Sequence, residues 1–277
     1  MKITDINGTV KLHNDIEMPY LGLGVFKAKE GDEVKEAIKH ALHMGYRHID
    51  TASVYKNEVG VGQAVKESGT KREEIFITTK VWNDSQGYDP TLRALDESLK
   101  RLDMTYVDLY LVHWPVKGKY KETWRALEQL YKQGKVKAIG VSNFLIHHLE
   151  DLLPSCEIVP MVNQIEYHPY LTQPKLIKYC LANKIRPTAW SPLMQGHITE
   201  VELLKNMAAK HGKTPAHIAL RWNLQKGVIT IPKSVNPQRI NANADLFDFE
   251  LSDEEVAQID GLNQGKRFGA DPDNFNF

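Results

Sequence analysis

The stretch "YRHIDTASVYKNEVGVGQAVKESG", residues 46–69, contains one complete strand–loop–helix unit. "YRHID" has the short apolar pattern of a buried strand, and apolar residues at three- and four-residue intervals then predict a helix over residues 57–68. Gly69 suits the end of that helix. The unit therefore closes a strand on an acid, Asp50, and leaves Tyr55 in the loop that follows.

The same unit recurs along the chain. Eight segments have a strand pattern: "PYLGLGVF", "YRHID", "IFITTK", "VDLYLVH", "VKAIGVSN", "MVNQIEYH", "IRPTAWS" and "VITIPKS". Amphipathic helices are predicted between them, at residues 31–44, 57–68, 89–101, 121–133, 145–153, 173–182, 200–211 with 215–226, and 237–244.

Alternation of strands and helices predicts parallel strands joined by right-handed crossovers. Eight such units in 277 residues favour a closed (β/α)₈ TIM barrel of the α/β class, with extra helices near the C-terminal part. An open doubly wound sheet is the alternative, but "GLGVF" and "GVGQAVKESG" both lack the G-x-G-x-x-G pattern of such a sheet. No linker or change in composition divides the chain, so residues 1–277 are predicted to form one domain.

The opening segment "ITDINGTVKL" stands outside this repeat. Two short β-prone runs flank Asn7-Gly8, which is a strong signal for a two-residue hairpin turn. We therefore expect an N-terminal β-hairpin that covers the barrel as a lid.

Composition restricts the partners of the protein. The 35 basic residues balance the 35 acidic ones, which argues against a nucleic-acid partner. No run of eighteen apolar residues and no signal-peptide pattern occur, so we expect a soluble cytoplasmic protein with no membrane contact. Cys156 and Cys180 lack metal-ligand spacing and are interpreted as reduced core residues. The expected state is a monomer that takes a small molecule and holds no metal.

Enzymes with a (β/α)₈ barrel place their chemistry where the strands end at the carboxyl-terminal face. The second strand ends at Asp50 with Tyr55 beyond it, the third ends at Lys80, and the fourth ends at His113. Taken alone, each residue is more often structural: Asp50 and Lys80 as halves of ion pairs, His113 as a core histidine, and Tyr55 as cover for a loop. Together they indicate function, because burying an Asp–Lys pair is commonly no more stabilising than hydrophobic replacements.

Such a cluster can deliver a proton. The ammonium group of Lys80 would lower the pKa of Tyr55, Asp50 would fix the lysine, and His113 would donate to the same substrate oxygen. An alkoxide developing from a carbonyl needs a hydride, and a nicotinamide cofactor supplies one.

The other strand ends provide groups suited to a nicotinamide nucleotide. Ser142, Asn143 and Gln164 can hold a carboxamide, and Trp190 offers a face for ring stacking. In "IPKSVNPQRI", Lys233, Ser234 and Arg239 lie near the start of a helix, where anions bind. Two of the three, Lys233 and Arg239, are cations, which indicates an extra phosphate on the nucleotide.

These motifs together resemble the aldo-keto reductase family over nearly the whole chain. "GYRHIDTASVYKNEVGVG" resembles the first family signature, "VSNF" with "VNQIEYHP" the middle one, and "IPKSVNPQRI" the last. The resemblance implies NADPH as cofactor, with Tyr55 as general acid/base in a tetrad with Asp50, Lys80 and His113. It also implies thirteen cofactor-binding residues: Gly24, Val25, Ser142, Asn143, Gln164, Trp190, Ser191, Leu193, Gln195, Lys233, Ser234, Arg239 and Asn243.

The resemblance also has departures. Trp190 stands where tyrosine is common, and the short tail suggests an open, permissive substrate pocket lined by Phe26, Trp82, His113 and Trp114. The expected activity is reduction of aldehydes and ketones to alcohols, including small dicarbonyls such as methylglyoxal. Two alternatives stay open at this stage: an NADPH-binding regulatory subunit with little turnover, and a barrel isomerase or hydrolase that uses Asp50 with His113.

Overall fold

Eight parallel strands close into a barrel. The computed structural model describes residues 2–277. The strands are β3 (Leu23–Gly24), β4 (His48–Asp50), β5 (Phe76–Val81), β6 (Val107–Val112), β7 (Val136–Ser142), β8 (Val162–Glu166), β9 (Arg186–Trp190) and β10 (Ile229–Thr230). Each strand pairs in parallel with the next in chain order. The predicted (β/α)₈ barrel is therefore confirmed.

The seam between the first and last strands is held by only a few hydrogen bonds. The backbone N–H of Gly22 donates to Thr230 O at 2.9 Å, and that of Gly24 donates to Pro232 O at 3.1 Å. Both glycines are needed because the strands approach closely: a Cβ on Gly24 would lie 2.9 Å from Ile231 O. Strands β3 and β10 are only two residues long, much shorter than predicted, and Gly24 pairs with Lys233 beyond the end of β10.

The helices surround the barrel. They are α1 (Asp32–His43), α2 (Glu58–Glu67), α3 (Tyr88–Leu102), α4 (Tyr120–Lys132), α5 (Ile146–Leu152), α6 (Pro174–Ala182), α7 (Glu202–His211), α8 (Pro215–Gln225), α9 (Pro237–Ala244) and α10 (Asp253–Asp260). The first nine agree with the predicted helices to within two residues at either end. No membrane-spanning candidate exists between residues 2 and 277, since no helix there is both long and apolar enough.

Helix α10 was missed from the sequence. Its start has a capping box, in which Ser252 Oγ accepts the N–H of Glu255 at 3.2 Å and Glu255 Oε2 accepts the N–H of Ser252 at 2.9 Å. The sequence "SDEE" was the signal that could have revealed it.

The N-terminal hairpin exists, but the predicted turn at Asn7-Gly8 is wrong. Strands β1 (Thr9–Lys11) and β2 (Glu17–Pro19) pair antiparallel, and the turn lies between Leu12 and Ile16. Gly8 instead packs against the Tyr20 ring, since a Cβ there would lie 2.0 Å from the Tyr20 hydroxyl.

The hairpin covers the amino-terminal end of the barrel. Asn14 Nδ2 donates to Lys137 O at 3.0 Å, and Lys137 lies at the beginning of β7. The lid is therefore opposite the strand ends that carry the proposed chemistry.

Candidate active site

An ion pair lies inside the carboxyl-terminal end of the barrel. Lys80 Nζ donates to Asp50 Oδ1 at 2.5 Å and to Thr51 O at 2.8 Å. The two charged side chains are 0% and 3% exposed. Burial lowers the pKa of Lys80, and the charge of Asp50 acts in the opposite direction.

Tyr55 reaches this pair through a turn that follows β4. The chain forms a 3₁₀ turn over Ser53–Tyr55, after which Lys56 is left-handed with φ 55°. Ser53 Oγ donates to Lys80 O at 3.0 Å and so ties the turn to β5. As a result, Lys80 Nζ lies 5.1 Å from the centroid of the Tyr55 ring.

The protonation of Tyr55 differs from the expectation. Burial, followed by the charge of Asp50, raises the pKa of Tyr55 well above its usual 10.0, although the sequence led us to expect a lowered pKa. The carboxylate of Asp50 and the exclusion of water both disfavour a phenolate. Tyr55 therefore keeps its proton near neutral pH, which is the state that a proton donor requires.

His113 completes the predicted tetrad. Its side chain is buried against Tyr55, with ring centroids 5.9 Å apart, and against Trp82, at 5.1 Å. Burial, followed by the charge of Lys80, lowers the pKa of His113 well below 6.5. A neutral imidazole can donate one hydrogen bond to a substrate oxygen without contributing a second positive charge.

Gln164 connects the two halves of the predicted site. Its Nε2 donates to Asp50 Oδ2 at 2.7 Å, so both carboxylate oxygens of Asp50 are bound. The sequence did not predict this contact, since it indicated only that Gln164 could bind the carboxamide of a nicotinamide. No hydrogen bond within residues 2–277 engages its Oε1, which leaves one amide atom for a ligand.

A chain of hydrogen bonds links the residues assigned to the nicotinamide. Trp190 Nε1 donates to Asn143 Oδ1 at 2.9 Å, and Asn143 Nδ2 donates to His113 O at 3.0 Å and Ser142 Oγ at 3.2 Å. Asn143 has φ 66°, a left-handed conformation that asparagine tolerates better than most residues. The half-buried indole of Trp190 is thereby held in one orientation.

The loop after β9 has an unusual backbone. Ser191, Met194 and Gln195 have φ values of 53°, 54° and 54°. Left-handed conformations outside glycine often mark functional loops. Of the residues assigned to a pyrophosphate, Leu193 is partly buried, and Gln195 Nε2 donates to Phe268 O at 3.0 Å. Gln195 therefore also contacts the C-terminal tail.

The residues assigned to the extra phosphate lie before and within α9. Lys233 and Arg239 are exposed, and neither forms an ion pair with any residue of the described chain. Ser234 Oγ accepts the N–H of Asn236 at 3.1 Å, while Asn236 Oδ1 caps the helix by accepting the N–H of Arg239 at 3.0 Å. Asn243, one helical turn after Arg239, is buried.

The loop after β3 is fixed by a residue that sequence reasoning missed. Asn57 Nδ2 donates to Val25 O at 2.9 Å and to Ala28 O at 3.1 Å, and its Oδ1 accepts from Thr51 at 2.7 Å. The N–H of Val25 donates to Asp50 O at 3.0 Å. Asn57 therefore holds the Gly24-Val25 turn beside Asp50 at the end of β4. An asparagine directly before a helix was the signal in the sequence that could have identified this residue.

The three predicted substrate aromatics lie around the tetrad, but the tail covers two of them. The ring of Phe26 is 5.0 Å from that of Tyr55. Phe277 stacks on Trp82 at 5.6 Å with an interplanar angle of 8° and meets the edge of Trp114 at 5.2 Å. The tail therefore packs on the rim of the predicted pocket, a contact that the sequence did not predict.

One group outside the tetrad has the composition of a metal site. His147, His148 and Asp273 bring their ligand atoms within 4.8 Å of one another. However, His148 Nδ1 accepts the N–H of Leu145 at 3.2 Å, so its Nε2 carries the proton in the neutral ring. A protonated Nε2 suits the contact with Asp273, 3.5 Å away, better than it suits a cation.

A (β/α)₈ barrel with an Asp–Lys pair, a neutral histidine and a protonated tyrosine at its carboxyl-terminal face has its ionisable groups where enzymes of this fold place their active sites. The family model described as "Aldo/keto reductase family" matches residues 20–264. The chain belongs to the aldo/keto reductase family and is an oxidoreductase.

Individual relatives support this membership. The chain is 58% identical over 274 residues to the glyoxal reductase of Bacillus subtilis (strain 168), an alignment covering 99% of both proteins. It is 48% identical over 270 residues to the methylglyoxal reductase DkgA of Escherichia coli (strain K12), covering 96% of this chain and 97% of that protein. A crystal structure of a Gox0644 mutant in complex with NADPH has a TM-score of 0.92 and 45% identity, covering 97% and 98%.

Proposed function

We propose that the protein reduces small aldehydes and ketones with NADPH, and that Tyr55 delivers the proton. The observation that carries the proposal is the convergence of Tyr55, Lys80, Asp50 and His113 at one end of the barrel. The membership of the family agrees with carbonyl reduction.

The residues present fit NADPH. Lys233 and Arg239 are two cations without acidic partners in the described chain, next to backbone N–H groups at the start of α9. A phosphate would supply the missing negative charge. At the other end, the half-buried face of Trp190 and the unengaged Oε1 of Gln164 suit an aromatic ring with a carboxamide.

Each tetrad residue has a separate role in the proposed reaction. NADPH bound at this site supplies the hydride that reduces the carbonyl carbon. Tyr55 donates its proton to the carbonyl oxygen as negative charge develops there, and the neutral His113 donates a hydrogen bond to the same oxygen. Lys80 stabilises the resulting phenolate, and Asp50 holds Lys80 in place.

Small dicarbonyls are the substrates we propose. The relatives with the names glyoxal reductase and methylglyoxal reductase are 58% and 48% identical. Phe277 covers Trp82 and Trp114 and so limits the space beside Tyr55. A compact aromatic pocket can exclude water from a small carbonyl group.

Replacing Tyr55 by Phe tests the assignment of the proton donor. This change removes one hydroxyl and keeps the ring packing against Phe26 and His113. We expect methylglyoxal-dependent NADPH oxidation to fall at least about a hundredfold, while NADPH binding measured by fluorescence titration is unchanged. Substantial residual reductase activity would show that another group donates the proton.

Replacing Lys233 by Met together with Arg239 by Ala tests the phosphate site. The two exposed cations contact no acid in the described chain, so the fold should be unaffected. We expect the Kd for NADPH to rise by at least about a hundredfold, since each of the two charge-assisted contacts contributes roughly 1.5–3 kcal/mol, and the Kd for NADH to change little. Equal losses for both nucleotides would contradict the assignment.

A further inference from the structure

A buried carboxyl group that the proposed reaction does not use lies at the end of β8. The Glu166 side chain is 0% exposed. Its Oε1 accepts the N–H of Phe268 at 2.6 Å and the N–H of Gly269 at 3.1 Å. His168 Nε2 lies 3.1 Å from the same oxygen. Glu166 therefore binds the backbone of a tail segment about one hundred residues further along the chain.

The other oxygen of Glu166 is poorly satisfied. Oε2 is buried and has no hydrogen-bond partner within residues 2–277, and the nearest cationic atom, Arg267 Nη1, is 3.7 Å away. A buried polar atom without a partner is unfavourable for stability. Glu166 therefore keeps its contact with the tail at a cost in stability.

The tail segment Arg267–Gly269 contacts two residues assigned to the cofactor. A Cβ on Gly269 would lie 2.2 Å from Trp190 Cη2 and 2.9 Å from Cζ3, so the glycine backbone packs directly on the indole. Phe268 O accepts from Gln195 Nε2 at 3.0 Å. One side of the tail segment is thus fixed by Glu166, and its other contacts reach Trp190 and Gln195.

Trp190 is consequently held at two points. Asn143 binds its Nε1 at 2.9 Å, and Gly269 packs against the far edge of the six-membered ring. Asn143 alone would leave the indole able to tilt about that single hydrogen bond. The tail segment removes this freedom, and Glu166 holds the tail segment.

We propose that Glu166 is a positioning residue for the cofactor: it holds the tail segment Arg267–Gly269 against Trp190 and Gln195 and thereby sets the affinity of the site for NADPH. This inference rests on the proposed function, which places the nicotinamide on Trp190. Glu166 touches neither the substrate nor the reacting atoms. Its loss should therefore weaken ground-state and transition-state binding equally, raising KM while leaving kcat nearly unchanged.

The test compares three single variants with the wild type. Glu166→Ala removes the acceptor of the two tail N–H groups, and Gly269→Ala pushes on Trp190 without touching the buried carboxyl group. Gln264→Ala is the matched control, because Gln264 is exposed on the same tail and its side chain forms no hydrogen bond with any residue of the described chain. Kd for NADPH is measured by fluorescence titration, and kcat and KM with methylglyoxal by initial rates.

We expect Kd and KM for NADPH to rise about tenfold in Glu166→Ala and Gly269→Ala, with kcat within about twofold of the wild type and no change in Gln264→Ala. Glu166→Gln should restore most of the affinity, because its amide oxygen can accept the same N–H groups. Gly269→Ala keeps the test valid if Glu166→Ala fails to fold.

A double-mutant cycle identifies the route of the effect. If Glu166 acts through Trp190, the substitution Glu166→Ala should have little further effect on Kd in a Trp190→Leu background. A lowered melting temperature with an unchanged Kd in Glu166→Ala and Gly269→Ala would overturn the inference and leave the proposed function intact. If the wild type itself neither binds NADPH nor reduces methylglyoxal, the proposed function fails instead.

Discussion

Replacing Asp50 by Asn removes one charge from the centre of the barrel and keeps the shape of the side chain. Lys80 is 0% exposed and Asp50 is its only carboxylate partner within residues 2–277. Breaking a buried pair by removing one charge typically destabilises a protein by about 3–5 kcal/mol. We expect the free energy of unfolding to fall by about 3 kcal/mol at neutral pH, at the lower end of this range, because the new amide oxygen can still accept a hydrogen bond from Lys80.

The effect should depend on pH in a defined direction. Burial already lowers the pKa of Lys80 below 10.5, and losing the charge of Asp50 lowers it further. The unfolded chain then binds more protons than the native state between the lowered pKa and 10.5, so stability rises with pH in this window. The destabilisation of the variant relative to the wild type should therefore shrink as the pH rises from the pKa of Lys80 in the variant towards its pKa in the wild type.

Urea unfolding monitored by circular dichroism at two pH values provides the measurement. Glu202→Gln is the control, because it breaks an exposed pair with Lys205 and should leave stability unchanged at both pH values. Turnover of methylglyoxal should also fall, since a neutral amide oxygen holds the ammonium group of Lys80 less firmly than the carboxylate does. A small loss of unfolding free energy that is the same at both pH values would refute the reasoning that the charge of Asp50 stabilises the buried ammonium group of Lys80.

Two further predictions concern the pocket and the packing of the helices. Deleting Phe277 removes the ring stacked on Trp82, so KM for methylglyoxal should rise about two- to tenfold with kcat unchanged. An unchanged KM in initial-rate assays would show that Phe277 does not contact the substrate. Gly62→Ala places a Cβ 2.1 Å from Leu102 O and should destabilise the protein by about 1–3 kcal/mol in thermal unfolding. Lys66→Ala, on the exposed side of the same helix, is its control and should melt like the wild type.

The sequence predicted the barrel and the location of the tetrad well. Helix positions follow from the local spacing of apolar residues, and nine helices agree with the structure to within two residues. The strand ends Asp50, Lys80 and His113 could be predicted to meet, because parallel strands in a barrel all end at one face. The start of α10 is also encoded locally, in the capping box of Ser252 and Glu255, although we did not predict this helix.

The details of the hairpin and of the barrel seam could not be read from local patterns. Asn7-Gly8 has the composition of a turn, yet Gly8 is required by the ring of Tyr20, which packs on it. The short strands β3 and β10 and the close approach of Gly24 to Ile231 are likewise properties of the seam where the first and last strands meet. Both features depend on which segments meet in three dimensions, and local propensity does not specify that.

The sequence by itself determined the fold class and the chemical groups of the site, because the alternation of apolar residues and the acid at the end of β4 are local properties. Only the tertiary structure decided the protonation of Tyr55, whose pKa is raised because burial and Asp50 act together. It also decided the contact of Glu166 with the tail segment and the cover that Phe277 forms over Trp82. Burial and contacts between distant segments arise when the whole chain packs, so no local pattern encodes them.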